Sequence, residues 1–252
     1  MNILAFLALL MAVLIGAVLF LFTRRIQAGQ EVGLRPLRGF QSLTNQVGRA
    51  VESGRRVHFS LGRAALNGSY SPTSLAALAA LEYLAKDGCA SDVPPLVTVG
   101  EGTLLPAAQD QLRGAYTQAG RSGDYANTMV EFVASDTSPM TFAAGVSDIV
   151  LHNNVGSNLL MGHFGPEIGI ILEAAGRQNM DQIVGSDDPV ALAVGSAMSD
   201  DLLIGEELFA AGAYMTGKAS QIASLQIQDI LRLIVAVAIL LFAIINLLLG
   251  AV

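Results

Sequence analysis

The chain has 252 residues, 52% of them hydrophobic and 14% charged, with 21 acidic and 14 basic side chains and a formal net charge of −7; that length suits one domain of about 200 residues or two small ones. The acid excess argues against nucleic acid as a partner, because phosphates would be repelled. The single cysteine, Cys89, cannot close an internal disulfide and fits a reducing compartment.

Residues 1–22 and 233–252 carry no charged side chain, and each is close to the roughly 20 residues that cross about 30 Å of hydrocarbon. Both read as transmembrane helices. The first lacks the basic leader and short apolar core of a signal peptide, and Arg24 and Arg25 follow it, so an uncleaved anchor is expected. Arg24, Arg25, Lys218 and Arg232 flank the two spans on their inner sides. The positive-inside rule then places the middle of the chain in the cytoplasm, beneath the inner membrane of a prokaryote. Ala8, Ala12 and Gly16 in the first span, and Ala236, Ala243 and Gly250 with Asn246 in the second, are spaced to let helices approach closely in lipid. The plain alternative is that alanine and glycine are common in membrane helices.

Residues 23–54 form a juxtamembrane linker broken by Gly29, Gly33, Pro36 and Gly39. Phe40, Leu43, Val47 and Val51 recur at three and four residues and predict an amphipathic helix that either lies on the membrane or packs on the body. Between Arg24 and Arg63 eight arginines face only Glu31 and Glu52, a net of +6, whereas Ala64 to Arg232 nets −13. Arg24, Arg25, Arg35, Arg38, Arg49, Arg55 and Arg56 therefore make a basic collar, attracted to the anionic headgroups of a lipid bilayer by about 1 kcal/mol per side chain near the surface.

Residues 55–217 alternate strand and helix patterns. Strands are expected at Arg56–Ser60, Pro95–Val99, Met129–Val133, Asn158–Met161, Gln182–Val184 and Val190–Val194. Helices are expected at Thr73–Lys86, opened by Ser71-Pro72, and at Leu105–Ala119, Pro139–His152, Pro166–Gly176 and Asp200–Thr216. This rhythm predicts an α/β fold, an open and mainly parallel Rossmann-like sheet flanked by helices. A connector at 218–232 leads to the second span.

In such a sheet, ligands bind in the crevice at the carboxyl ends of the strands, which would gather Ser60, Glu101, Asp136, His163 and Asp187. Gly100-Glu101-Gly102 is half of a dinucleotide fingerprint, but Leu105 takes the third glycine's place and Glu101 would repel phosphate, so a plain turn is the simpler reading. No phosphate-binding P-loop occurs. The run His58-Phe59-Ser60-Leu61-Gly62 approaches a nucleophile elbow with His58 in place of its first glycine; a strand-end serine serving loop backbone groups fits better. His58, His152 and His163 lack metal-ligand spacing, and no metal, cofactor or catalytic residue is expected. In the final helix, Gly205 and Gly212 lie seven residues apart near Leu208 and Phe209, which suggests close packing on another backbone.

The segments Arg55-Arg56-Val57-His58-Phe59-Ser60 and Leu203-Ile204-Gly205-Glu206-Glu207-Leu208-Phe209-Ala210-Ala211-Gly212-Ala213-Tyr214, with a membrane exit before them, resemble a bacterial and archaeal family of membrane-anchored domains of unknown function. The resemblance spans most of residues 30 to 217. It implies a proline where this chain has Leu61, and it implies placement without an activity. The expected role is a self-associating scaffold or assembly subunit, a homo-oligomer. The alternative is a small-ligand binder or enzyme using the crevice.

Overall fold

The computed structural model describes residues 3–30, 32–134, 137–199 and 201–249. The chain divides into two compact units, residues 1–34 with 217–252, and residues 35–216.

In the first unit α1 (Ile3–Gln27) and α10 (Ala219–Leu249) pack against each other. Both helices are long and apolar enough to cross a membrane. The half-buried side chains of α1 include Ile15, Val18, Leu19, Phe22 and Ile26, spaced as one stripe of a helix. Ala8, Ala12 and Gly16 stay exposed. Helix α10 starts at Ala219, so most of the expected connector is helix continuous with the apolar run.

The second unit opens with α2 (Arg38–Glu52), which buries Phe40, Leu43, Gln46, Val47 and Ala50. The amphipathic helix of the linker thus packs its apolar side on the body. Six strands follow: β1 (Arg56–Gly62), β2 (Leu96–Val99), β3 (Val130–Phe132), β4 (Val155–His163), β5 (Asp181–Ser186) and β6 (Asp201–Ile204). They pair in parallel throughout, in the order β3-β2-β1-β4-β5-β6. Helices α3 (Ser71–Ala90), α4 (Leu104–Gln118), α5 (Pro139–His152), α6 (Ile168–Arg177) and α7 (Pro189–Met198) connect them, and α8 (Glu206–Phe209) and α9 (Ala211–Thr216) close the unit. Proline stands in the first turn of α3, α5 and α7, where its missing N–H costs nothing.

Parallel strands need cover on both faces. Alternate residues of β4 divide accordingly. Ser157 faces α2, donating its hydroxyl to Gln46 Oε1 at 3.0 Å, while Leu160 joins Val184, Leu96, Phe142, Val146, Ile171 and Leu172 in the core beneath α5, α6 and α7. Phe59 and Leu159, paired across β1 and β4, are fully buried, and side chains of this kind stabilise by about 2 kcal/mol each.

Two expectations fail near the end of the sheet. Val190–Val194, expected as a strand, lies inside α7; Asp188 Oδ1 accepts from the N–H of Val190 at 2.6 Å and from that of Ala191 at 3.4 Å and so starts a helix. The sixth strand is instead β6, within the stretch expected as one final helix. Gly205 ends it with φ of +55°, a backbone state that glycine adopts without strain, and only the short α8 and α9 follow. Gly205 and Gly212 therefore do not share a helical face. Asp200, expected at that helix's start, lies outside the described residues.

Residues 35–216 begin and end side by side. Tyr214 Oη donates to the carbonyl of Arg35 at 2.6 Å, and the Tyr214 ring stacks on Phe40 with centroids 5.0 Å apart.

Candidate functional site

The strand order reverses between β1 and β4, and such a switch point is where open parallel sheets bind ligands. Here the two strands close tightly. Gly62 ends β1 with φ of +75°, and a Cβ on it would come within 2.5 Å of the His163 carbonyl oxygen. Any other residue would push β1 and β4 apart. The backbone of Arg63 continues the contact, its N–H donating to His163 O at 3.1 Å.

Beyond the strand ends the loops are stitched together. Arg63 Nε and Nη2 each reach Glu167 Oε1 at 2.9 Å, with both side chains buried. The same oxygen accepts from the N–H of Gly165 at 2.9 Å. A buried pair of this kind holds geometry rather than adding much net stability, and removing one partner is what costs. On the other side of β1, the Gly100 N–H donates to Gly62 O at 2.9 Å. Glu101 Oε2 accepts from the Thr103 N–H at 2.6 Å and also from the Thr103 hydroxyl, and Thr103 Oγ1 accepts from the Leu66 N–H at 2.9 Å. Glu101 is therefore a loop staple.

His163, at the end of β4, donates from Nδ1 to Asp187 Oδ1 at 2.8 Å. Asp187 Oδ2 accepts from the Thr73 hydroxyl at 2.6 Å. Tyr70, just before α3, stacks on the His163 ring with centroids 3.7 Å apart and planes 17° from parallel. Burial alone would push the Asp187 carboxyl upward, but hydrogen bonds from His163 and Thr73 outweigh it and hold the group below its usual range.

Of the residues expected in the crevice, His163 and Asp187 come together, and Glu101 serves its own loop. Ser60 is fully buried two residues short of the end of β1, so it is an interior residue and not a strand-end one. Its hydroxyl lacks a partner among the described residues. Asp136 lies outside the described residues. Sequence reasoning missed Arg63, Glu167, Tyr70 and Thr73. Their position beside Gly62, Pro166 and Ser71-Pro72, each a strand-to-helix boundary, was the available signal.

Below the crevice a buried polar row crosses four strands. His58 Nδ1 donates to Asn158 Oδ1 at 2.7 Å, the Thr98 hydroxyl donates to His58 Nε2 at 3.0 Å, Asn158 Nδ2 reaches Gln182 Oε1 at 3.5 Å and Gln182 Nε2 reaches Met198 O at 3.4 Å. Burial, only partly opposed by the bond to Asn158, lowers His58 to about 4. The ring is neutral at physiological pH.

The basic collar divides. Arg24 lies 5.6 Å over the Phe20 ring and Arg25 5.9 Å over Phe22. Arg35 comes within 3.8 Å of Glu207, and Arg38 is exposed. Arg49 binds Asp181 through Nε at 3.0 Å and Nη2 at 2.7 Å. Arg55 Nη2 donates to Val155 O, and Arg56 is half-buried. An open cleft of about 440 Å³ lined by Arg49, Glu52, Arg55, Gly156, Asn179 and Asp181 lies at the amino ends of the strands, away from the crevice. Two arginines and two carboxylates leave it without net charge.

Among the described residues no group of three or more His, Cys, Asp or Glu side chains could hold a metal ion. The family DUF6754, a domain of unknown function, matches residues 1–252. No curated protein and no solved structure matches the chain.

Proposed function

For a chain that belongs to the DUF6754 family, we propose the role of a membrane-anchored, self-associating scaffold or assembly subunit whose α/β body stands on the cytoplasmic side of a prokaryotic inner membrane. The observation that carries this reading is in the spans. The half-buried stripe of α1 runs through Ile15, Val18, Leu19, Phe22 and Ile26, while Ala8, Ala12 and Gly16 remain exposed, and nothing lies within 4 Å of a Cβ built on Gly16. In lipid, small residues left open in this way let a second helix approach backbone to backbone.

Two further features support it. Tyr214 ties the residue where the body begins to the helix where it ends, so the two ends of the body lie together. Arg24, Arg25, Lys218 and Arg232 flank the apolar runs on the body side, as positive-inside orientation requires. The collar contributes less to lipid binding than its charge count suggests, since Arg49 and Arg35 already meet carboxylates of the body.

The test is the mass of the detergent-extracted protein at modest salt, beside the triple variant Ala8→Leu, Ala12→Leu, Gly16→Leu. The expected result is a multiple of the single-chain mass that falls to the single chain in the variant. A wild-type monomer would rule out self-association.

A further inference from the structure

Three elements fix one imidazole at the edge of the switch-point crevice. Asp187 follows β5, Thr73 lies in the first turn of α3, and together they hold His163 at the end of β4. An ionised carboxylate can only accept, so the neutral ring keeps its proton on Nδ1 and its lone pair on Nε2. No described residue hydrogen-bonds Nε2. The His163 side chain is 16% exposed and Tyr70 covers one ring face, so a visitor meets the ring at its edge.

The surroundings define what that visitor can be. A phosphorylated ligand would need a free cation or an open glycine turn. The Arg63 guanidinium is already on Glu167, the Gly62 turn is packed against the His163 backbone, and the charged residues that directly follow β2 and β5 are Glu101, Asp187 and Asp188. The three carboxylates are already engaged, Glu101 by Thr103, Asp187 by His163 and Thr73, and Asp188 by the Val190 N–H, which leaves an aromatic ring face suited to an uncharged molecule.

The geometry points to His163 Nε2 as the general base of a hydrolytic site for uncharged esters. Nε2 takes a proton from water as the water oxygen attacks the ester carbonyl carbon. The carbon–oxygen bond to the leaving group then breaks, and the departing alkoxide takes the proton back from Nε2–H. Asp187 stabilises the imidazolium formed between these two transfers and holds its tautomer, with Thr73 fixing the carboxylate in turn. Water is the only co-reactant.

The experiment uses the full chain in mild detergent with p-nitrophenyl acetate as the probe. Hydrolysis is expected to fall about a hundredfold in His163→Gln and to be unchanged in His152→Gln, whose exposed histidine lies on α5. Asp187→Asn is expected to lower kcat while leaving the thermal melt by circular dichroism in place, which a loss of fold would not do. Hydrolysis by His163→Gln at the wild-type rate overturns the assignment. Should that variant lose its fold, carbethoxylation by diethyl pyrocarbonate, followed by mass spectrometry on wild type, decides the matter. His163 modified while the buried His58 stays unmodified supports the open Nε2, and His163 left unmodified together with His58 overturns the proposal.

Discussion

At the scale of single residues, histidine shows how far environment outruns identity. His58 and His163 are the same side chain on neighbouring strands, one sealed between Thr98 and Asn158 and the other held by Asp187 with a nitrogen open. Because burial lowers His58 to about 4 from 6.5, the folded state resists its protonation while the unfolded state does not. The resulting stability is complete above pH 6.5 and is lost as the pH falls from there towards 4, by at most about 3 kcal/mol. Thermal midpoints measured across that window should fall in the wild type, and the slope should flatten in His58→Gln, which cannot take up the proton. Nothing in the run His58-Phe59-Ser60 told the two environments apart. The partners of His58 sit on β2 and β4, 40 and 100 residues away.

At the scale of elements, local chemistry decided most boundaries and long-range packing decided the rest. The expected helix Pro139–His152 matches α5, because a proline start and an apolar 3.6-residue period are both local signals. Five apolar residues at Val190–Val194 suit a strand or a buried helix equally well. Asp188 capping two N–H groups, and a sheet that finds its sixth strand further along at Asp201–Ile204, resolve the ambiguity towards helix. The turn at Gly205 is the joint of this arrangement. With φ of +55° and ψ of −108°, Gly205→Ala should cost about 1 to 3 kcal/mol through backbone strain, although nothing lies within 4 Å of the added Cβ. Chemical denaturation of the variant measures the loss, and an unchanged midpoint would mean that the turn relaxes freely.

At the scale of the whole molecule, residues 35–216 hold six strands with helices on both faces and bury their own core. Such a unit should fold without the two terminal apolar helices. Expressed alone, it is expected to be soluble and to melt in one cooperative transition by circular dichroism; an excised body lacking a cooperative melt would show that the terminal helices are part of the fold. The sequence by itself determined the two long apolar terminal helices, the βα rhythm and the polarity of charge, because each is written in composition or short periodicity that a chain carries in any conformation. Tertiary structure alone decided that α2 lies on the body, that β6 replaces the strand expected at Val190–Val194, and that Thr73, Asp187 and His163 meet. Thr73 and Asp187 are 114 residues apart and Asp187 and His163 24 apart. Parallel pairing lines up strand ends from distant parts of the chain, and no local pattern records which loops will share an edge.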